Sequence, residues 1–385
     1  MNKNRGDTIL FSIFLISIIF IILYGMKIIT NFYIAAIPVI LVTILLYGIY
    51  IVKVRKVYIY ILIIIASLLI ASIFREYTDY EQLILYIIIL LSPVAFSVIK
   101  WDNKKLTIIL VLFSIASLIT PIFNGFLTPT LKSGVAFDGR LLPFLYLIFS
   151  IIGIKQKSKN VLIRILYYLS FAVNFYGVIW SGSRIALIAS IILIVLSFLS
   201  NKIQLNDKMK RRLLKLYIAI VVIQLMIPFV YIGLSNNFSE ELNNISYNLT
   251  NKPFFTGREI LWKDIIEDTA DYFWIGTSDT DFNNQITTAH NELLGRAYIW
   301  GVFNTIIVIL YNIFLLRKAI KLMNTNQDKY IIFGMIAIVL CSTFETFMYT
   351  PTGFIYYSLL LALLLSKGAK KENEESNSSD TIRSL

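Results

Sequence analysis

Hydrophobic positions in this chain are gathered into long unbroken runs, and short polar turns separate one run from the next. A helix needs ~20 residues to cross a hydrocarbon layer ~30 Å thick, so each run reads as a membrane-spanning helix. The runs lie near residues 8–25, 33–52, 57–74, 83–99, 106–123, 141–154, 161–180, 185–200, 216–234, 297–316, 330–348 and 353–366. Those beginning at 141, 185 and 353 are short. The expected architecture is an all-α polytopic membrane protein with nine spans in residues 1–234, a long connection at 235–295, three spans in 296–366 and a polar tail at 367–385. No small-residue cleavage site follows the first run, which is expected to stay as an anchor.

Composition points the same way. Of 385 residues, 57% are hydrophobic and only 15% charged, with a mean hydropathy of +0.74. A soluble domain carries about 25% charged residues and has no core able to hide such a surplus of apolar surface. The net charge of +12 would suit a nucleic-acid binder if the basic residues shared one face, but they are spread over successive turns. Lys and Arg are retained in cytoplasmic loops. With the N-terminus inside, most of the 35 fall inside: Lys53, Arg55 and Lys56, then Lys100, Lys104 and Lys105, then Lys155, Lys157 and Lys159, the 201–215 turn, Arg317 to Lys329, and the tail. Outside remain Lys27, Arg75, Lys132, Arg140, Arg184, Lys252, Arg258, Lys263 and Arg296. Both termini are therefore expected in the cytoplasm.

The 235–295 connection then lies on the outer face, carrying ten acids against Lys252, Arg258 and Lys263. Loops of this length are commonly functional. Within it, T-G-R-E-I-L-W begins at Thr256, and Glu259 three residues on makes a capping-box pattern for a helix start. Ile260, Leu261, Trp262, Ile265 and Ile266 form an apolar face, so this helix is expected to lie along the membrane surface. Arg258 falls in its first turn, where free N–H groups and the dipole favour an anion, and a guanidinium there suits a diphosphate. Pairing with one of the loop's acids is the other reading of Arg258, and the sequence leaves both open.

W-S-G-S-R-I-A-L, between the seventh and eighth spans, places Arg184 at the outer edge of the membrane, facing a polar cavity or snorkelling to head groups. The single histidine, His290, stands in T-T-A-H-N-E where the long connection feeds the tenth span. Imidazole, with an ordinary pKa of ~6.5, suits a general base at neutral pH, although a lone surface histidine usually has no such role. Glu345, near the outer end of the eleventh span, is either a site residue or half of a structural ion pair. Asp279 and Asp281 form a D-x-D that suits a divalent cation with a sugar diphosphate, though so short a motif commonly marks a solvated loop. Asn-x-Ser/Thr triplets at Asn237, Asn244 and Asn248 are what an Asn-rich loop brings by chance. Cys341 is the only cysteine, which rules out an intrachain disulfide and a cysteine zinc cluster.

The set S-G-S-R at 181–184, G-R-E-I-L-W at 257–262 and H-N at 290–291, around one long outer loop, resembles the O-antigen ligase and polymerase superfamily over roughly residues 170–315. The N-terminal half shares only its run of spans. The resemblance implies a fold like that of the GT-C membrane glycosyltransferases, and transfer of a polyprenyl-diphosphate-linked glycan (undecaprenyl in bacteria) onto a sugar hydroxyl. No metal, cofactor or nucleotide sugar is implied. Arg184 and Arg258 would hold the donor diphosphate and His290 would serve the acceptor, with Arg140 and Glu345 as further substrate-binding candidates. The implied setting is the outer face of the bacterial cytoplasmic membrane, with membrane lipids, a chain-length regulator and a flippase as partners and no role for nucleic acid. Polymerase is preferred to ligase because nothing recognisable marks a lipid A-core acceptor site.

The chemistry agrees: a departing lipid diphosphate needs cations, and an attacking hydroxyl needs a base. Inverting displacement at the anomeric carbon is the expected step. The rival class is a lipid-linked oligosaccharide flippase or transporter, which needs a polar path through the membrane interior. Glu345, Arg184 and Arg164 all lie near a surface instead. A third reading, a peptidoglycan-type glycosyltransferase, would move the chemistry to an outer aspartate.

Overall fold

Backbone N–H and C=O groups inside a bilayer must be paired within the chain, so unbroken apolar runs fold as helices. The computed structural model describes residues 3–26, 28–29, 32–53, 65–66, 80–123, 137–200, 204–251, 253–277, 289–345 and 353–367, and every regular element among them is helical. In chain order these are α1 (Lys3–Gly25), α2 (Phe32–Lys53), α3 (Tyr80–Phe96), α4 (Asn103–Phe123), α5 (Phe137–Gln156), α6 (Val161–Ser181), α7 (Arg184–Leu199), α8 (Asp207–Thr250), α9 (Arg258–Asp271), α10 (Glu292–Leu322), α11 (Asp328–Cys341) and α12 (Gly353–Lys367). Among the described residues five helices are long and apolar enough to cross a membrane: Gly6–Gly25, Asn103–Ile122, Val161–Ser181, Asp207–Leu249 and Glu292–Leu322. Shorter apolar helices accompany them, including those expected from 141, 185 and 353. Apart from residues 65 and 66, the run at 57–74 lies outside the described residues.

Large apolar side chains on α1, α6 and α8, such as Ile16, Leu162, Leu169, Val222 and Phe229, stand exposed. Broad apolar exposure of this kind suits lipid rather than water. α5, α11 and α12 are buried from nearly every side. α5 packs on α4, α6, α7 and α11. A Cβ on Gly153 would meet the Tyr167 ring at 2.8 Å, and one on Gly177 would meet Pro143 at 3.0 Å, so small residues let α5 and α6 approach closely. From α6, Ser170 hydrogen-bonds both Ser117 of α4 (2.7 Å) and Ser150 of α5 (2.6 Å), and the Asn174 amide donates to Ser150 and Ser170. These bonds satisfy polar groups that apolar surroundings would otherwise leave costly.

The basic turns gather at one end of the bundle. Lys105 pairs with Asp7, Gln156 donates to Thr107, Gln327 to the Gln156 carbonyl, Lys329 to the Ser200 carbonyl, and Lys367 to Asp328. At the other end the segment read as a loop from 235 begins as helix. α8 continues to Thr250, interrupted only at Phe238 (φ −135°, ψ 27°), and closes on Asn251 in the left-handed region. Its 44 residues would run ~66 Å at ~1.5 Å per residue, about twice a hydrocarbon thickness. Loss of apolar character at Ser235 marks where the apolar run ends, whereas helix formation continues through polar residues.

α10 is broken at Gly301 (φ 78°, ψ 160°). The segment after α9 repairs the break: Thr277 N donates to Tyr298 O at 2.7 Å, and Val302 N donates to Phe273 O at 2.9 Å. The two groups that an unbroken helix would pair, Val302 N and Tyr298 O, each find a partner on that segment. A Cβ on Gly301 would stand 2.2 Å from Trp274 O, and one on Gly276 (φ 72°) 2.5 Å from Tyr298 O, so only glycine fits either side of this contact.

Candidate active site

S-G-S-R is a helix-to-helix corner. Ser181 ends α6, Gly182 closes it in the left-handed conformation (φ 67°), and Ser183 caps α7 by accepting from Ala186 N. Arg184 is thereby the first residue of α7. Its guanidinium does not run out to head groups: Nη1 donates to Ser246 Oγ and Nη2 to the Pro253 carbonyl, each at 3.1 Å. Ser246 lies on the part of α8 that continues beyond the expected span.

T-G-R builds a second helix start, differently from the expected capping box. Gly257 (φ 87°), not Thr256, is the cap, and it offers no side chain. Only the Glu259 half of the box forms, its carboxylate accepting from Gly257 N at 3.3 Å. Arg258 is therefore the first residue of α9, and its guanidinium lies 6.0 Å from the Phe344 ring. α9 packs on α8 and α10 through Trp262, Ile265 and Thr269, while Ile260 is 64% exposed. Its buried stripe is narrower than the apolar pattern suggests. Trp262 is fully buried against Tyr231 and Phe344 and hydrogen-bonds the Ala289 carbonyl.

His290 stands next to that carbonyl, immediately before α10, with φ 51°. Left-handed backbone is uncommon for a residue with a side chain and persists where neighbours enforce it. Here Trp262 holds residue 289 and Asn291 holds the other side. The Asn291 amide donates to the carbonyls of Gln224 and Thr343, at 3.0 Å each, while its oxygen caps α10 at Leu294 N.

Glu345 lies between the two functional groups that sequence places far apart. Its Oε1 is 3.5 Å from Arg258 Nη2 and its Oε2 is 3.1 Å from His290 Nδ1, with the carboxylate side chain 10% exposed. The ion-pair partner of the two alternatives from sequence is what the contacts give, and the same side chain lines a cavity. Arg184, Arg258, His290 and Glu345 all line one cavity of about 620 Å³, whose wall is completed by Leu141, Ile185, Ile188, Tyr231, Phe254 and Phe344. The first turns of α7 and α9 open onto it, and free N–H groups at helix starts favour an anion. Two guanidiniums against one carboxylate leave the polar part cationic.

Arg140 lies in α5, but its side chain is outside the described residues, as are Asp279 and Asp281 altogether. Among the described residues no three His, Cys, Asp or Glu side chains stand together as a metal site. Cys341 is fully buried. Arg296, counted with the outer loop by charge, is instead 3% exposed inside the bundle. It pairs with Glu292 at 2.8 Å, donates to Tyr86 OH at 2.8 Å, and has its guanidinium carbon 5.2 Å from the Tyr86 ring. α10 begins five residues before the expected span, which carries Arg296 inward; the acid and base four apart on one helix were the available signal. Sequence reasoning also passed over Tyr231, whose hydroxyl donates to the Phe254 carbonyl at 2.7 Å, and Phe344 beside Arg258.

No curated protein matches the chain. The family model described as O-antigen ligase matches residues 169–309, a segment that holds Arg184, Arg258 and His290 but not Glu345. Over that segment, somewhat more than a third of its length, the chain is similar to the O-antigen ligase family.

Proposed function

We propose that this protein is a metal-independent, inverting polymerase of polyprenyl-diphosphate-linked oligosaccharide repeat units, for O-antigen, capsular or exopolysaccharide, working on the outer face of the bacterial cytoplasmic membrane. The observation that carries the reading is the meeting of Arg184, Arg258, His290 and Glu345 on one cavity with apolar walls. Arg184 and Arg258 receive the diphosphate, each at a helix start that already favours an anion. Leu141, Ile185 and Ile188 offer the apolar surface that the first isoprene units of the donor need.

In the proposed step the acceptor hydroxyl oxygen attacks the anomeric carbon of the donor sugar. The bond from that carbon to the diphosphate oxygen breaks, its electron pair leaving with the diphosphate, whose developing charge the two guanidiniums stabilise. Glu345 accepts from Nδ1 of His290 and so selects the tautomer whose lone pair is on Nε2, which takes the hydroxyl proton. Twelve spans with both termini inside would set the cavity outside, opposite the basic turns. Ligation to a different acceptor uses the same chemistry, and the description of the matching family favours it as the second reading.

The test is purified protein in bilayer discs with a lipid-linked repeat unit as sole substrate. Polymer forms with EDTA present. His290→Ala loses ~10² to 10⁴ of the rate, as expected for loss of a general base. Dependence on added Mg²⁺, or full activity of His290→Ala, would sink the reading. Product only with a separate lipid-core acceptor would assign the ligase.

A further inference from the structure

The two oxygens of Glu345 serve different partners. His290 Nδ1 lies at 3.1 Å, within ordinary hydrogen-bond range, whereas Arg258 Nη2 lies at 3.5 Å, beyond the ~2.7 to 2.9 Å of a strong charge-assisted bond. The Arg258 contact is thus a loose ion pair. Arg184 differs, because its partners are a hydroxyl and a carbonyl, not a carboxylate. One of the two cavity arginines therefore spends its charge on the same carboxylate that orients the histidine.

Resting on the polymerase reading above, we propose that Glu345 is a positioning residue that couples donor binding to activation of His290. An arriving diphosphate carries more charge than one carboxylate and presents paired oxygens that a guanidinium fork fits better. It draws Arg258 away from Glu345. The carboxylate, nine-tenths buried, then keeps the imidazole N–H as its remaining partner among the described residues, because a buried charge without one is costly. The histidine is held in the Nδ1–H tautomer and becomes the stronger base only once a donor is seated. Donor before acceptor is the order this imposes.

Other charged and titratable groups near the pair are Arg184 from α7 and Tyr231 from α8, which line the same cavity, and Glu259 in the first turn of α9. From α11, Cys341 is buried beside the carboxylate. Glu345 contacts both His290 and Arg258.

Because the chain has one histidine, ¹⁵N-histidine labelling of the full-length protein gives a single imidazole whose nitrogen shifts report the Nδ1 bond. The probe is a short-chain polyprenyl diphosphate, with its binding followed separately by phosphorus NMR. Binding should move the His290 resonances in wild type. In Arg258→Ala they should already stand near the bound position and stay there. In Glu345→Gln the probe should bind several-fold more tightly, leave the imidazole unmoved, and donor KM and kcat should both fall. Binding that leaves the wild-type imidazole unmoved overturns the coupling but not the diphosphate site. So does an equal movement in Glu345→Gln, since the probe would then act on His290 directly. Failure of the probe to bind wild type overturns the site and the coupling together.

Discussion

The side-chain amide of Asn291 donates to the main-chain oxygen of Gln224 at 3.0 Å, tying the residue after His290 to α8 across 67 positions of sequence. Its second hydrogen goes to Thr343, two residues before Glu345, so one buried amide holds both ends of the His290–Glu345 pair. Asn291→Ala removes these bonds and the α10 cap together. A lost cap costs ~1 kcal/mol and each buried group left without a partner ~1 to 3 kcal/mol. We expect a lower melting temperature in detergent and a loss of kcat with donor affinity retained. Wild-type kcat in Asn291→Ala would remove this residue from the positioning of His290.

The arginines separate by their contacts. Arg184→Lys cannot reach Ser246 and Pro253 with one ammonium as the fork does, and Arg258→Lys would lose the bidentate contact proposed for the diphosphate. In cells, Arg184→Ala and Arg258→Ala should leave single lipid-linked repeats to accumulate, with lysine rescuing poorly. Gel analysis of extracted glycan reads this directly, and a normal polymer ladder at normal expression would exclude the residue concerned.

Three positive-φ glycines make a graded test. Alanine at Gly301 or Gly276 meets backbone atoms at 2.2 or 2.5 Å, whereas alanine at Gly257 meets nothing within 4 Å. Gly257→Ala should therefore cost only the ~1 to 2 kcal/mol of left-handed backbone. Gly301→Ala and Gly276→Ala should fail to yield folded protein. Equal melting temperatures for all three would refute the close contact between the α10 break and the segment after α9.

Topology is open to thiol labelling because Cys341, the only native cysteine, is fully buried. Cysteines introduced at Lys210 or Lys318 should react only after the inner face is exposed, and one at Glu267 should react in intact cells. A cytoplasmic Glu267 would put the cavity on the wrong side for an outer glycan.

Local signals were legible in sequence. Apolar runs gave helices because a bilayer admits little else, and Lys and Arg marked the turns at one end. S-G-S-R and T-G-R marked the starts of two helices to within a residue, since left-handed glycines and a capping serine act within a few positions of themselves. Arg184, Arg258, His290 and Glu345 were each visible as candidates by residue type and edge position. Their meeting was not. Glu345 is 55 residues from His290, and nothing local tells a carboxylate at a helix end which cation it will face. The inward turn of Arg296, the burial of Trp262 and the repair of α10 by residues 273–277 likewise depend on which helices pack side by side. Tertiary structure decided these, because pairing of a buried polar group is settled by whatever neighbour the packing supplies.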